Sequence, residues 1–543
     1  MPSQTTTFAE PPTLDVRKTL ARADGARRAG DITGAARDYG AVLARFPGNP
    51  RARKALAAIG PSAASALADM AKSCEAAHQL DEAVQHWADA VALCPGHIAL
   101  CLSLCRCLSD MGRNHAALDA VNEALRHNPD SALALDTKGC VLRDLGQMDA
   151  AQACHREALK HGGNTAGPLN HLGVLARATG DTDKAADFFR QAITASPGTA
   201  SLHHNLAGCT TYRAGDAHIR QMQDQLADHS SSDPRQAPLH FALFKAMDET
   251  DDRDGAFAHL LRGNHLRKAS SNFDIAREAY RFAWYKSLFA EPPAPMQITN
   301  ECEPRPVYVV GLPRSGTTLA ERILGQTPGA QTAGELSVVS NAVSPLLRRL
   351  QTEGRSAPTR QDLQTLRDRL LSGIKRHSDG SPILIDKMPL NFRWAGLICA
   401  AMPEARVVSL SRAPMPVAWS LFRHLFSSHG NGFAYDMADI AAYMLLHRDM
   451  MRFWSTRFAS QIVSLDYAAL VSETEDTLRE LIDACDLEWS EACLNPQAAG
   501  GPVLTASATQ VRRKIYCGSD DDWRRYEAHL SPLAAALNTA GLT

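Results

Sequence analysis

Pro306-Val-Tyr-Val-Val-Gly311-Leu-Pro-Arg-Ser-Gly-Thr-Thr318, running on into Leu319-Ala-Glu-Arg-Ile-Leu-Gly325, decides the fold of the C-terminal half. An apolar run of strand length meets a glycine-containing turn, and a helical pattern starts at once. Three more short apolar runs follow: Pro382 to Ile385, Ala405 to Leu410 and Gln461 to Asp466. Longer helical patterns separate them. Strands alternating with helices predict βαβ units, and hence a central parallel sheet covered on both faces. Ligands in such sheets bind beyond the carboxyl ends of the strands.

The loop from Gly311 to Thr318 has the strand, turn and helix context of a phosphate-binding loop. Its backbone N–H groups can point inward, and the helix N-terminus adds partial positive charge. Measured against G-x-x-x-x-G-K-[ST], Thr317 stands in the lysine position. The group that serves β- and γ-phosphates is therefore missing. Such a loop suits a nucleotide ending in a 5′-phosphosulfate. Four further elements follow along the chain: Gly334-Glu335-Leu336, 21 residues past Arg314; Asp386-Lys387-Met388-Pro389; Arg412 with Ser420 eight residues on; and Thr505-Ala-Ser507-Ala-Thr-Gln510-Val-Arg-Arg513. Tyr467 closes the fourth apolar run. Arginine offers a bidentate fork to a dianionic phosphate, and serine a hydroxyl.

In this order the elements resemble the sulfotransferases, and Glu335 and the Asp-Lys-x-Pro segment resemble their protein-tyrosine branch. The resemblance covers roughly residues 304 to 530. It implies an α/β P-loop-like sulfotransferase domain that uses 3′-phosphoadenosine 5′-phosphosulfate (PAPS) as cosubstrate. Glu335 would be the general base toward an acceptor hydroxyl. Arg314, Lys387 and Ser507 would stabilise charge on the sulfuryl group and its bridging oxygen. Ser315, Gly316, Thr317 and Thr318 would hold the 5′-phosphate, and Arg412 and Ser420 the 3′-phosphate. Tyr467, Ser507, Gln510 and Arg513 would complete the nucleotide site. Asp386 is read as structural. His424 departs from the family pattern, which has an arginine there. The sulfuryl group carries one negative charge, so no metal is expected to be required, and no carboxylate constellation resembles a magnesium site.

The N-terminal half repeats. Gly112, Gly146 and Gly180 stand 34 residues apart, as do Ala83, Ala117, Ala151 and Ala185, and Ala90, Ala124, Ala158 and Ala192. Pro95, Pro129 and Pro197 keep the same clock, with Gly163 in the vacant slot. Two antiparallel helices per unit need small residues at fixed points of close approach, a glycine after the first helix and a breaker after the second. An earlier unit carries Gly30 and Pro47, offset by an insert around Gly60 to Ser65, and Gly215 suggests a further one. The pattern resembles the tetratricopeptide repeat family, which implies an all-α superhelix and a concave face for a protein or peptide partner. Trp87, His155 and Phe189 share one second-helix position and read as core.

The expected organisation is a tetratricopeptide repeat array over 13–230, a helical connector and linker over 231–300, and the sulfotransferase domain over 301–543. A length of 543 residues requires several cores. At 45% hydrophobic, 21% charged and a formal charge of −2, the chain is an ordinary globular composition with no electrostatic case for coating nucleic acid. Its 13 cysteines form no CxxC pair and no metal or disulfide pattern, so reduced structural cysteines are expected. No secretory leader or membrane span is read, and the expectation is cytoplasmic. The acceptor reads as a protein or peptide tyrosine, with a glycan or small-molecule hydroxyl as alternative. Two other classes compete: a nucleotide kinase, which the absent lysine opposes, and a repeat scaffold with a noncatalytic nucleotide-binding domain.

Overall fold

The computed structural model describes residues 15–46, 48–77, 79–227, 232–291, 293, 296, 303–426, 430–498 and 521–542. By contact density the chain divides into two compact units, Met1–His171 and Leu172–Thr543. The division falls within the repeat pattern.

The first unit is built of antiparallel helix pairs. Ile98–Asp110 turns through Gly112 into Asn114–His127, and Ala132–Asp144 through Gly146 into Met148–Lys160. Gly112 and Gly146 have φ of +67° and +76°, a left-handed turn that an L side chain enters only at a cost. That requirement is why glycine marks the period. Ala83, Ala117, Ala151 and, in the second unit, Ala185 are all fully buried, as are Ala90, Ala124 and Ala192. Trp87, His155 and Phe189 are buried too. The insert around Gly60 to Ser65 is no loop. It lies inside one 27-residue helix, Pro50–Ala76, which carries Pro61 internally. Pro47 is outside the described residues.

In the second unit a five-stranded sheet holds β1 (Arg305–Val310), β2 (Ala330–Thr332), β3 (Ile383–Lys387), β4 (Arg406–Ser411) and β5 (Ile462–Asp466), in the order β2-β3-β1-β4-β5. All neighbouring pairs are parallel. The four apolar runs correspond to β1, β3, β4 and β5. The short edge strand β2, Ala-Gln-Thr, carries no apolar signal and was not expected.

The stretch 231–300, read from sequence as connector and linker, includes structural helices in this unit. Helices Ala237–Glu249, Arg253–Ala269 and Ile275–Ser287 place Phe241, Phe244, Phe257, Leu260 and Phe282 in one core with Tyr308 of β1 and Trp419. Asn264 is buried and donates from Nδ2 to the Phe422 carbonyl at 3.0 Å. Aperiodic helices look like a connector in sequence because their apolar residues serve two cores: Phe241 and Phe244 face the α/β domain, while Leu239 and Leu243 pack with Ala200, Tyr212 and Met222.

Candidate active site

The sheet register delivers the singled-out residues to one edge. Lys387 on β3 pairs with Val309, two residues before Gly311. Val310 pairs with Ser409 of β4, three residues before Arg412. Ser411 pairs with Asp466 of β5, and Tyr467 follows. Ala333 donates its N–H to Ile385 at 2.9 Å just past β2, and Glu335 stands two residues on. Glu335, Lys387, the Gly311–Thr318 loop, Arg412 and Tyr467 thus all follow or end strands at their carboxyl side, where an open parallel sheet binds ligands.

The loop itself is held in a shape few side chains permit. Gly316 has φ +107° and precedes the helix Thr317–Leu324. A Cβ there would meet Tyr467 Cδ2 at 2.6 Å. Gly316→Ala is therefore expected to destabilise the second unit by roughly 1–3 kcal/mol, as forced left-handed backbone does. Chemical denaturation would read this. Adding Tyr467→Ala should restore part of the loss, since it removes the clash and not the torsion.

Arg314 takes φ +71°, unusual for a branched-off long side chain, and its Nε donates to Ser420 Oγ at 3.0 Å. Arg412 Nη1 donates to the Arg314 carbonyl at 3.2 Å, and its guanidinium lies 4.1 Å over the Tyr467 ring. Burial, with Arg423 and Arg412 nearby, pushes the Arg314 guanidinium down to about 10. Two guanidiniums, Arg314 and Arg412, at a glycine loop and helix N-terminus make a place for an anion with more than one charge, whereas Arg423 pairs with Asp522 at 3.2 Å. The link from Arg314 to Ser420 ties together two residues that sequence reading assigned to opposite ends of the nucleotide.

Lys387 is fully buried, and its ammonium donates to Glu335. Glu335 is 44% exposed at the side chain. A second carboxylate, Glu321, lies 3.9 Å from the same ammonium. Sequence reading missed it. Glu321 Oε1 accepts from the Gly334 N–H at 3.0 Å and so fixes the residue before Glu335. Lys387 N–H donates to the Gly334 carbonyl at 3.0 Å, closing the segment from the other side. The available signal was a charged residue among the apolar positions of Leu-Ala-Glu-Arg-Ile-Leu. Burial pushes the Glu321 carboxyl up.

Asp386 fits its structural reading. It is buried, accepts from the Leu336 N–H at 3.4 Å, and burial pushes its carboxyl up to about 8. A raised folded pKa means the folded state holds a proton that the unfolded state releases near pH 4. Stability from this group is present at low pH and is lost as pH rises through about 4 to 8. Asp386→Asn should remove that slope from the stability–pH curve and leave activity at pH 7 little changed. Burial, and then the charge of Arg314, push His424 down to about 3. Ser507, Gln510 and Arg513 lie outside the described residues.

Residues 306–491 match the profile of the sulfotransferase family, and residues 75–138 and 137–200 match tetratricopeptide repeats. The chain therefore carries a sulfotransferase-family domain behind a tetratricopeptide repeat region. Among known proteins it is 33% identical over 339 residues to an uncharacterized protein of Aquifex aeolicus, covering 60% of this chain and 44% of that one. It is 21% identical over 224 residues to a putative protein-tyrosine sulfotransferase of Caenorhabditis briggsae, covering 40% of this chain and 80% of that protein. To protein-tyrosine sulfotransferase 1 of Danio rerio it is 20% identical over 226 residues, covering 38% and 60%. The chain spans under half the length of the Aquifex relative it matches. No helix among the described residues is long and apolar enough to cross a membrane.

Proposed function

We propose that this chain transfers a sulfuryl group from PAPS to an acceptor hydroxyl, with a protein or peptide tyrosine as the acceptor. The observation that carries the reading is the pair Arg314 and Arg412, the second donating to the carbonyl of the first, at a glycine loop that lacks the Walker lysine. Polyanion affinity without a triphosphate lysine fits a nucleotide bearing a 3′-phosphate and a 5′-phosphosulfate. The residues fit the group. At Gly311 a Cβ would meet Ser315 Oγ at 3.1 Å and at Gly316 it would meet Tyr467 Cδ2 at 2.6 Å, so glycine lets the loop close tightly before the N–H groups at Thr317 and Thr318 open a helix.

PAPS supplies an electrophilic sulfuryl group on a good leaving phosphate. Arg412 and Ser420 hold the 3′-phosphate, and Ser315 to Thr318 the 5′-phosphate. Tyr467 braces Arg412 from beneath. Glu335 takes the acceptor hydroxyl proton on its exposed carboxylate, while Lys387 and Arg314 neutralise charge on the departing oxygen. Glu321 acts on neither reactant and positions Gly334 and Glu335. Ser507, Gln510 and Arg513 belong to this reading through the family resemblance. The relatives named for tyrosine sulfation and a repeat family that generally mediates protein interactions both support a protein acceptor.

Arg412→Ala tests the cofactor. It should weaken adenosine 3′,5′-bisphosphate by about 10- to 150-fold, the worth of a charge-assisted contact of roughly 1.5–3 kcal/mol, and weaken adenosine 5′-phosphate far less. Calorimetry without magnesium reads both. Equal weakening would overturn the 3′-phosphate assignment. Sulfate transfer from PAPS to phenols or glycans with none to tyrosine peptides would overturn the acceptor.

A further inference from the structure

The repeat region holds a second constellation that sulfuryl transfer does not use. Asp136 and Cys140 stand one helical turn apart on Ala132–Asp144, His155 on Met148–Lys160, and His171 on Ala166–Thr179. One donor atom from each of Cys140, His155 and His171 lies within 4.8 Å of the others. We propose that Cys140, His155 and His171 form a binding site for a zinc-class divalent transition-metal ion, with Asp136 orienting the two imidazoles.

The donor set is the first argument. One thiolate and two imidazoles make a three-ligand set of the borderline-soft kind that zinc and cobalt(II) prefer, with the fourth tetrahedral position open to water. A tetrahedral zinc with Zn–S of about 2.3 Å and Zn–N of about 2.0–2.1 Å separates sulfur from nitrogen by about 3.6 Å. Cys140 Sγ lies 3.6 Å from His171 Nδ1 and 3.7 Å from its Nε2. Asp136 Oδ1 lies 2.7 Å from His155 Nδ1 and 3.0 Å from His171 Nδ1, so one carboxylate oxygen draws both rings together. The ring centroids are 5.0 Å apart.

The second argument is the position of His155. The same slot in the period holds Trp87, Val121 and Phe189, all apolar and buried. Phe189 lies against Gly173, and His155 against Gly139, each in the space where a Cβ would sit. Phenylalanine would fill the slot with no polar atom to satisfy. His155 is instead completely buried with Nε2 lacking a hydrogen-bond partner. A buried unpaired nitrogen is costly, and convergence on a thiol and a second imidazole gives the histidine a use. Binding would displace the thiol proton of Cys140 and any proton held between His171 and Asp136.

The test is a cobalt(II) titration of the full-length chain after removal of metals by a chelator. One equivalent should produce the intense visible bands of tetrahedral cobalt and a near-ultraviolet thiolate-to-cobalt band, and zinc should displace both. Cys140→Ser should abolish the near-ultraviolet band, whereas Cys74→Ser should leave the spectrum intact. His155→Phe keeps the packing of the equivalent Phe189 slot, so its helical circular dichroism should match the parent. Its cobalt affinity should fall beyond the ~10- to 100-fold that loss of an outer-shell partner costs. A weak octahedral spectrum with no thiolate band would overturn the site and leave a hydrogen-bonded polar core. So would uptake unchanged in both Cys140→Ser and His155→Phe.

Discussion

Glu335→Gln is expected to lower kcat by ~10²-fold or more while leaving nucleotide affinity nearly unchanged. Glutamine keeps the shape and one acceptor for the Lys387 ammonium but cannot take a proton. The local frame should survive, because Glu321 still holds Gly334 and Lys387 N–H still reaches the Gly334 carbonyl. Steady-state kinetics with a tyrosine peptide, beside calorimetry with adenosine 3′,5′-bisphosphate, separates the two quantities. Lost affinity with normal kcat would make Glu335 a cofactor or framework residue. His424 would be a poor substitute base, since burial holds it down to about 3. The protein-tyrosine reading would weaken with that outcome.

Lys387→Met should cost kcat ~10²- to 10³-fold, the range seen on removing one preorganised group that meets developing charge. Methionine fills much the same buried volume, so lost packing is small. The electrostatic consequence is larger. Breaking a buried ion pair by deleting one partner costs about 3–5 kcal/mol when the remaining charge stays ionised. Glu321 is already displaced toward its neutral form by burial and can take up a proton, which places the expected loss below that range. A donor with a more acidic leaving group, such as an activated aryl sulfate, should recover much of the rate. A lysine that served the fold alone would show no such dependence on the leaving group.

Much of this architecture was legible because it is locally encoded. A left-handed turn demands glycine, and close helix approach demands alanine, so the repeats announce themselves at every thirty-fourth residue. Buried parallel strands read as apolar runs for the same reason. Strand β2 escaped because three residues, Ala330, Gln331 and Thr332, carry too little pattern to separate from a turn. The helices from Ala237 to Ser287 were visible as helices, whereas their membership in the α/β core depends on contacts more than a hundred residues distant, such as Asn264 to Phe422. Glu335 and Lys387 were found as separate motif residues, but their pairing across 52 positions is a product of strand register. Glu321 went unnoticed because its work is done through a backbone N–H. The histidine at 155 looked like core and is buried as core. Its chemistry emerges only when Asp136, Cys140 and His171 are brought to it from two other helices.

The helix Pro50–Ala76 has a consequence for how the first unit comes apart. Its Ile59 and Ala63 belong to one hydrophobic cluster with Leu20 and Tyr39, while Ala64 and Leu67 belong to another with Trp87 and Leu104. Stacked repeats share stability only with immediate neighbours, so ordinarily an end unit can fray alone. Here a single continuous rod is common property of two clusters. Melting of its first turns exposes Ile59 and leaves Leu67 seated, so amide protons along one helix would exchange at two distinct rates, with the step between Ala63 and Ala64.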